Sequence, residues 1–342
     1  MKALVLEAYG RLALRDTEPP PLAEDGVLVR VMACGICGSD VHGMDGSTGR
    51  RIPPVVMGHE ASGEISAVGP RVTGWSVGDR VTFDSTISCG ACWFCQRGQI
   101  NLCDNRRVLG VSCGEYRQNG AFAGYVAVPA RILYRLPDKV RYEQAALTES
   151  LSIAVHAVRR SGARAGDASV VVGAGQIGLL VVQVLKLSGA SPIVAVDVDA
   201  DRLALARKLG ADYTLQSGPD TARQVQALTE GRGADVALEV VGSTPAIAVA
   251  LSSLRKGGAL TLVGNITPRI ELGLQETVTR EITVYGSCAS CLEYPLCLKL
   301  IEHEDVDVGA LISAVAPLEE GPSWFQRLYG KEKGLMKVVL TP

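Results

Sequence analysis

The sequence predicts an α/β chain: a doubly wound parallel sheet of six strands joined to a second, β-rich, barrel-like domain. Three observations predict it. From residue 169 onward, short β-branched runs alternate with helical stretches, the rhythm of strand-helix-strand crossovers. Before about residue 150, β-favouring runs are instead separated by Gly, Pro and Asp turns. Between them, SVVVGAGQIGLLVVQVLKLSGASPIVAVD at 169–197 reads as strand, tight turn, helix and second strand in one unit.

In chain order, the β-favouring runs are 4–6, 27–32, 63–68, 80–83 and 125–128. Residues 142–158 turn helical and lead into a connection at 162–167, the expected crossover between domains. Strands are then expected at 169–172, 193–196, 213–215, 236–240, 259–263 and 282–285, with helices including 201–209 and 244–254. Beyond 286 the alternation is expected to stop. The tail, LMKVVLTP, offers one more strand able to return to the first domain.

Within 169–197 each glycine has a physical use. Gly173 permits the tight turn, Gly175 lets the backbone approach a pyrophosphate, and Gly178 allows close helix-strand packing, while the helix N-terminus offers N–H groups to the anion. Asp197 follows Gly178 by 19 residues, where a carboxylate accepts from an adenosine ribose and repels a 2′-phosphate. NAD is therefore expected over NADP, although Arg202, just past the strand, is the residue type that neutralises such a phosphate. A lone GxGxxG is also an ordinary turn; both strands, the helix and the acid make this one a cofactor motif.

Composition narrows the partners. The chain has 342 residues, 47% apolar and 20% charged, enough for two domains with cores, and a net charge of -2 argues against nucleic acid or an anionic membrane. MKALVLEAYGRLAL is too short in apolar run for a signal peptide, so a cytoplasmic protein is expected. Its ten cysteines would then be metal ligands, nucleophiles or core fillers before disulfides. Cys113 reads as a core thiol.

Cys89, Cys92, Cys95 and Cys103, spaced C-x2-C-x2-C-x7-C, let one short lobe wrap a tetrahedral zinc at about 2.3 Å Zn–S, with every position filled by protein. Disulfides would have to close strained short loops in a reducing compartment. A second site has to be assembled from CGICGSDVH at 34–42, GHE at 58–60, and Glu149. Singly, His59 is compatible with a loop histidine, Cys34 and Cys37 with core cysteines, and Glu149 with a solvated helix residue. Neighbours on a regular strand face opposite ways, so His59 and Glu60 share a metal only if a turn or helix intervenes.

Together these segments resemble the zinc-dependent medium-chain dehydrogenase/reductase family, in its sorbitol (polyol) dehydrogenase-like branch. The matching segments are GICGSDVH at 35–42, GHEASGEISAVGPRV at 58–72, VGDRV at 77–81, the cysteine lobe, GAFAGYVAVP at 120–129, ESLSIAVHA at 149–157, the fingerprint, and GGALTLVG at 257–264. They span nearly the whole chain in order. The resemblance implies a GroES-like catalytic domain at 1–155 and 288–342, with a structural zinc lobe at about 86–106, and a Rossmann NAD-binding domain at 156–287, the active site lying in the cleft between them.

The resemblance also implies two zinc ions per chain. Cys37, His59 and Glu60 would hold the catalytic one, with Glu149 as alternate ligand or acting through its water; Cys34 would not be a ligand. Ser39 would begin a proton relay, Asp40 would orient His59, and His42 would carry the proton outward. Gly173, Gly175, Ile177, Gly178, Asp197 and Arg202 would bind NAD, with Val263, Ser287, Cys288 and Ala289 near its nicotinamide. Zinc would act as a Lewis acid on a secondary alcohol of a polyol, cyclitol or sugar, with hydride passing to NAD and a ketone as product. A homodimer or homotetramer is implied, with 282–291 as a contact segment.

Departures from the family pattern fall where substrate would bind. Ala289-Ser290 replaces an Arg-Tyr pair, Gly43 an aromatic, Gly124 a glutamate, and Ser150 a proline. These positions look more like bacterial polyol, sugar or galactitol 1-phosphate-type enzymes. Arg50-Arg51 and Arg106-Arg107 are candidate anion binders for a phosphorylated substrate. A threonine-dehydrogenase-like activity and a non-catalytic NAD-binding protein are the alternatives.

Overall fold

A computed structural model describes residues 1–113 and 116–342. The side chain of Cys113, expected in the core, lies outside the described residues. Contacts divide the chain into two units: residues 1–149, 291–304 and 308–342, and residues 150–290 with 305–307.

The second unit carries the parallel sheet. Its strands run in the order Tyr213–Gln216, Ile193–Asp197, Ser169–Val172, Ala234–Glu239, Leu254–Leu262 and Thr283–Gly286. All five pairings are parallel, and Val170 pairs with Val194 on one side and Ala237 on the other. SVVV and IVAVD are buried throughout, which is why they read as unbroken β-branched runs rather than alternating ones. Helices Gln176–Leu187 and Ala200–Leu209 follow the first two strands. Asp199 starts the latter by accepting from Asp201 N and Arg202 N.

The first unit is built on a seven-stranded sheet whose long strand, Gly26–Gly35, pairs along one edge with Glu60–Val68. Its other edge is shared: Tyr125–Pro129 pairs at residues 26–30, and Lys337–Thr341 pairs at Cys34 and Gly35. The tail strand thus returns as expected. The alternation, however, does not stop at 286. Helices Tyr294–Glu302 and Gly321–Tyr329, each with proline in the first turn, flank a further strand, Ile312–Pro317, which lies parallel to the tail strand. ISAVAP is mostly half-exposed or exposed, which leaves it a weak apolar signal in sequence.

Among the described residues no helix is long and apolar enough to cross a membrane.

Candidate functional site

In the first unit, Cys37, His59 and Glu60 converge: one ligand atom from each lies within 4.8 Å of the other two. Local backbone explains how. Cys37 is the N-cap of the short helix Gly38–Gly43, with its thiol accepting from Ser39 N at 3.4 Å and from the Ser39 hydroxyl at 3.3 Å. Gly58 sits at φ +94, where a Cβ would press on Phe122 at 2.8 Å. His59 therefore leaves a left-handed turn, Glu60 begins the strand, and the two neighbours reach one point despite strand alternation.

The surroundings suit a cation. His59 Nδ1 stands 3.3 Å from Asp40 Oδ2, and neither atom has another partner among the described residues, which leaves Nε2 as the nitrogen a metal ion could take. Burial pulls the His59 imidazole down, but Asp40 and Cys37 outweigh it and raise its pKa well above the ordinary value. A metal ion at the imidazole meets the same anionic field. Glu60, 1% exposed, accepts from the fully buried Lys337 Nζ at 2.5 Å, and Lys337 also donates to Ile36 O at 2.9 Å. Burial opposes the Lys337 charge, but Glu60 and Cys37 raise its pKa above the usual lysine value.

Glu149 stands outside the three-residue set. It accepts from the Ser85 hydroxyl at 3.4 Å, and its carboxyl is raised to about 7 chiefly by burial. Ser39 is exposed, and half-buried His42 follows it by one turn on the same face of the Gly38–Gly43 helix. Cys34 is fully buried and outside the set, in the core position expected of a non-ligand.

Arg51, a candidate anion binder together with Arg50, is 3% exposed, and its guanidinium is committed to Asp40 Oδ1 at 2.7 and 3.2 Å. A buried guanidinium already paired to a carboxylate has little left for a substrate phosphate.

Cys89, Cys92, Cys95 and Cys103 form the second such group among the described residues, with sulfurs all within 4.8 Å of one another. Cys89 and Cys95 are 4.0 Å apart, close to the ~3.8 Å edge of a tetrahedron with Zn–S of ~2.3 Å. N–H groups of Ala91 and Cys92 lower the Cys89 pKa to about 6, favouring a thiolate ligand, while burial raises Cys95 to about 11. Four sulfurs this close need a shared cation to ionise together.

In the second unit the cofactor candidates fall at the carboxyl edge of the parallel sheet, where open α/β sheets take ligands. Gly173, φ +103, ends the first strand, and a Cβ on Gly178 would strike Gly173 O. At Gly175, the N-cap of Gln176–Leu187, a Cβ would meet no protein atom within 4 Å, leaving room for a ligand to approach the backbone. Asp197, 8% exposed, accepts from Ala174 N at 2.6 Å and Asp199 N at 2.9 Å, so it also braces the glycine turn. Arg202 is partly exposed on the following helix. Val263 and Ser287 follow the last two strands, through Val263 N to Glu239 O and Ser287 N to Leu262 O. Cys288 is exposed and Ala289 takes φ +53. Ser150 accepts from the Gln176 side chain at 2.6 Å, giving that departure a partner inside the fingerprint.

Sequence reasoning missed Lys337, the inward course of Arg51, and Glu239. The Glu239 carboxylate accepts from Val241 N and Gly242 N beside the point where the strand order reverses. Lone charges in apolar runs, MKVVL and VALEV, were the available signal.

Residues 23–138 match the alcohol dehydrogenase GroES-like domain family, and residues 177–303 the zinc-binding dehydrogenase family. A sorbitol dehydrogenase of Bacillus subtilis (strain 168) is 33% identical across all of this chain and 97% of its own length. A D-arabitol-phosphate dehydrogenase of Enterococcus avium is 35% identical over 94% of this chain and 91% of its own. A crystal structure described as a zinc-binding dehydrogenase from Sinorhizobium meliloti 1021, bound to NADP, superposes with a TM-score of 0.91 at 31% identity, covering 100% of this chain and 99% of that one. The class is thereby that of zinc-binding alcohol dehydrogenases. Within it, the chain belongs to the zinc-dependent medium-chain dehydrogenase/reductase family, on its sorbitol dehydrogenase-like branch, with zinc and a nicotinamide dinucleotide as cofactors.

Proposed function

We propose that the enzyme oxidises a secondary alcohol of a polyol, cyclitol or sugar to the ketone with NAD, using Cys37, His59 and Glu60 as ligands of a catalytic zinc. The observation that carries this reading is the convergence of those three buried or half-buried donors beside the Ser39 hydroxyl. When bound, zinc supplies Lewis acidity toward the alcohol and NAD accepts the hydride. Asp40 holds His59 through Nδ1, Lys337 balances Glu60, and Glu149 stands by as alternate ligand or proton acceptor. Ser39 takes the proton of the alcohol and passes it toward His42.

The thiol lobe holds a structural zinc, since four protein ligands leave no open position. Residues 1–155 and 288–342 serve as the catalytic domain and 156–287 as the NAD domain. Gly173, Gly175, Ile177 and Gly178 receive the pyrophosphate, Asp197 and Arg202 lie at the ribose, and Val263, Ser287, Cys288 and Ala289 lie toward the nicotinamide. The Asp197 carboxylate supports NAD over NADP by charge repulsion. Thr283–Gly286 ends the sheet order, so a homodimer by edge pairing fits, and thiols at metal-ligand spacing fit a cytoplasmic setting.

The arabitol-phosphate relative favours a phosphorylated substrate as the second reading. The commitment of Arg51 to Asp40 weighs against it. Initial rates of NAD and NADP reduction over a panel of polyols, cyclitols, sugars and their phosphates, before and after chelation, test the proposal. Chelator-sensitive turnover on one group with NAD supports it; no turnover on any alcohol with both cofactors bound sinks it.

A further inference from the structure

Ser39 offers one O–H and two lone pairs, so its role in a proton transfer depends on which of them is already engaged. In this structure Arg51 Nη2 donates to Ser39 Oγ at 3.3 Å and to Asp40 Oδ1 at 2.7 Å, while Arg51 Nε also donates to Asp40 at 3.2 Å and Nη1 donates to Arg50 O at 3.4 Å. A guanidinium only donates. One Ser39 lone pair is therefore occupied, and the hydroxyl has to point its own proton elsewhere; here it goes to Cys37 Sγ at 3.3 Å.

The path by which Arg51 reaches this place depends on a second residue. A Cβ on Gly43 would collide with Arg51 Cγ and crowd its Cβ and Cδ at 3.4 and 3.6 Å. The obstructed atoms are the root of the side chain, in a residue 3% exposed whose head is held at four contacts, so the stem has no room to swing aside. Gly43 has an ordinary backbone conformation, outside the positive-φ set, so it is space and not φ that calls for glycine. The two positions depend on each other.

We propose that Gly43 and Arg51 form one positioning device: the missing side chain at 43 admits the Arg51 guanidinium beneath Ser39, where it holds one Ser39 lone pair, keeps the O–H off that side and so biases the polarity of proton transfer. The inference rests on the dehydrogenase reading above. With one lone pair held by Arg51, the other receives the proton of the substrate hydroxyl; that O–H bond breaks as a Ser39 O–H bond forms. The original Ser39 proton, which rests on Cys37 Sγ in this structure, turns about the Cβ–Oγ bond to the side of His42 and leaves for solvent as the new O–H bond forms, so Ser39 ends the step neutral. Without Arg51 the hydroxyl rotates, and orientations that offer the substrate a proton instead of a lone pair compete.

The test is a double-mutant cycle in kcat, using the zinc-loaded enzyme and the best substrate of the panel. Arg51→Met is expected to lower kcat by about 10- to 100-fold, a part of the 10²–10⁴ typical of a proton-transfer group, with little change in KM for NAD. Combined with Ser39→Ala it is expected to add less than about threefold, because the group it orients is gone. Millimolar guanidinium should restore part of the activity of Arg51→Ala and none of Arg51→Ala/Ser39→Ala. Gly43→Phe should reproduce Arg51→Met without altering the arginine.

Multiplicative losses in the double mutant overturn the device and assign Arg51 to the hold on Asp40, as does loss of zinc from Arg51→Met measured by metal analysis. If Arg51→Met does not fold, Arg51→Lys, which keeps the charge but not the fork, enters the same cycle. A wild-type enzyme that turns over while the cycle is multiplicative removes this inference alone; a wild type inactive on every alcohol removes the dehydrogenase reading and this one with it.

Discussion

Lys337→Met isolates the buried ion pair under the candidate metal site. In the native protein the two side chains are 0% and 1% exposed and 2.5 Å apart, and Nζ also satisfies Ile36 O. Methionine fills similar volume, so the loss is electrostatic: an uncompensated carboxylate is left in the interior. Breaking one side of such a pair costs about 3–5 kcal/mol. All three tryptophans, Trp75, Trp93 and Trp324, lie in the first unit, so tryptophan fluorescence in urea follows the unit that holds the pair. In metal-free protein the variant should unfold with that deficit. Zinc supplies the missing positive charge and should shrink the loss by at least half, and Glu60→Gln/Lys337→Met should recover most of it without metal. A metal-free Lys337→Met within about 1 kcal/mol of wild type would refute the reasoning, because it would mean that Glu60 does not depend on the ammonium.

Asp84 is 2% exposed, and burial raises its carboxyl from 3.8 to about 6, a shift of about 2 units or about 3 kcal/mol. A raised carboxyl pKa means that the neutral form favours folding and that this benefit is lost as pH rises from about 4 through about 6. Asp84→Asn should therefore gain stability over wild type at pH 8 and lose that advantage near pH 4.5, read from melting temperatures across the range; a pH-independent difference would contradict it. Cys95→Ser should remove one zinc equivalent by metal analysis and lower the melting temperature of the first unit, while leaving NAD binding in place. Loss of both zinc equivalents would argue against two separate sites. Asp197→Ser should raise kcat/KM with NADP relative to NAD by tenfold or more, since it removes the carboxylate that the proposed binding mode sets against a 2′-phosphate. It should also destabilise the glycine turn, whose Ala174 N loses its acceptor. An unchanged cofactor ratio would place the ribose elsewhere.

The strands at the centre of the parallel sheet were legible in the sequence almost residue by residue because Ser169–Val172 and Ile193–Asp197 are buried throughout, and burial there shows as contiguous Val, Ile and Ala; the half-exposed edge strands, Tyr213–Gln216 and Thr283–Gly286, were legible only from their place in the strand-helix rhythm. The fingerprint and the thiol lobe were legible because each acts within a short span, where spacing and geometry are nearly the same thing. The sequence also brought out Cys37, His59 and Glu60, though it left open how neighbours 59 and 60 could face one point. Gly58 answers that, by a left-handed turn that identity alone permits but does not require.

The charges that tune the site were decided by tertiary structure. Lys337 lies 277 positions from Glu60, and Arg51 looks in sequence like any surface pair with Arg50. Local periodicity tells which face of an element is apolar; it does not tell which single charge is taken inside, because that depends on a partner delivered by a distant strand. Lys337 is buried because the tail strand pairs with Gly26–Gly35 and brings its ammonium to Glu60, and Arg51 is buried because Gly43 leaves room for its stem and Asp40 waits at the end.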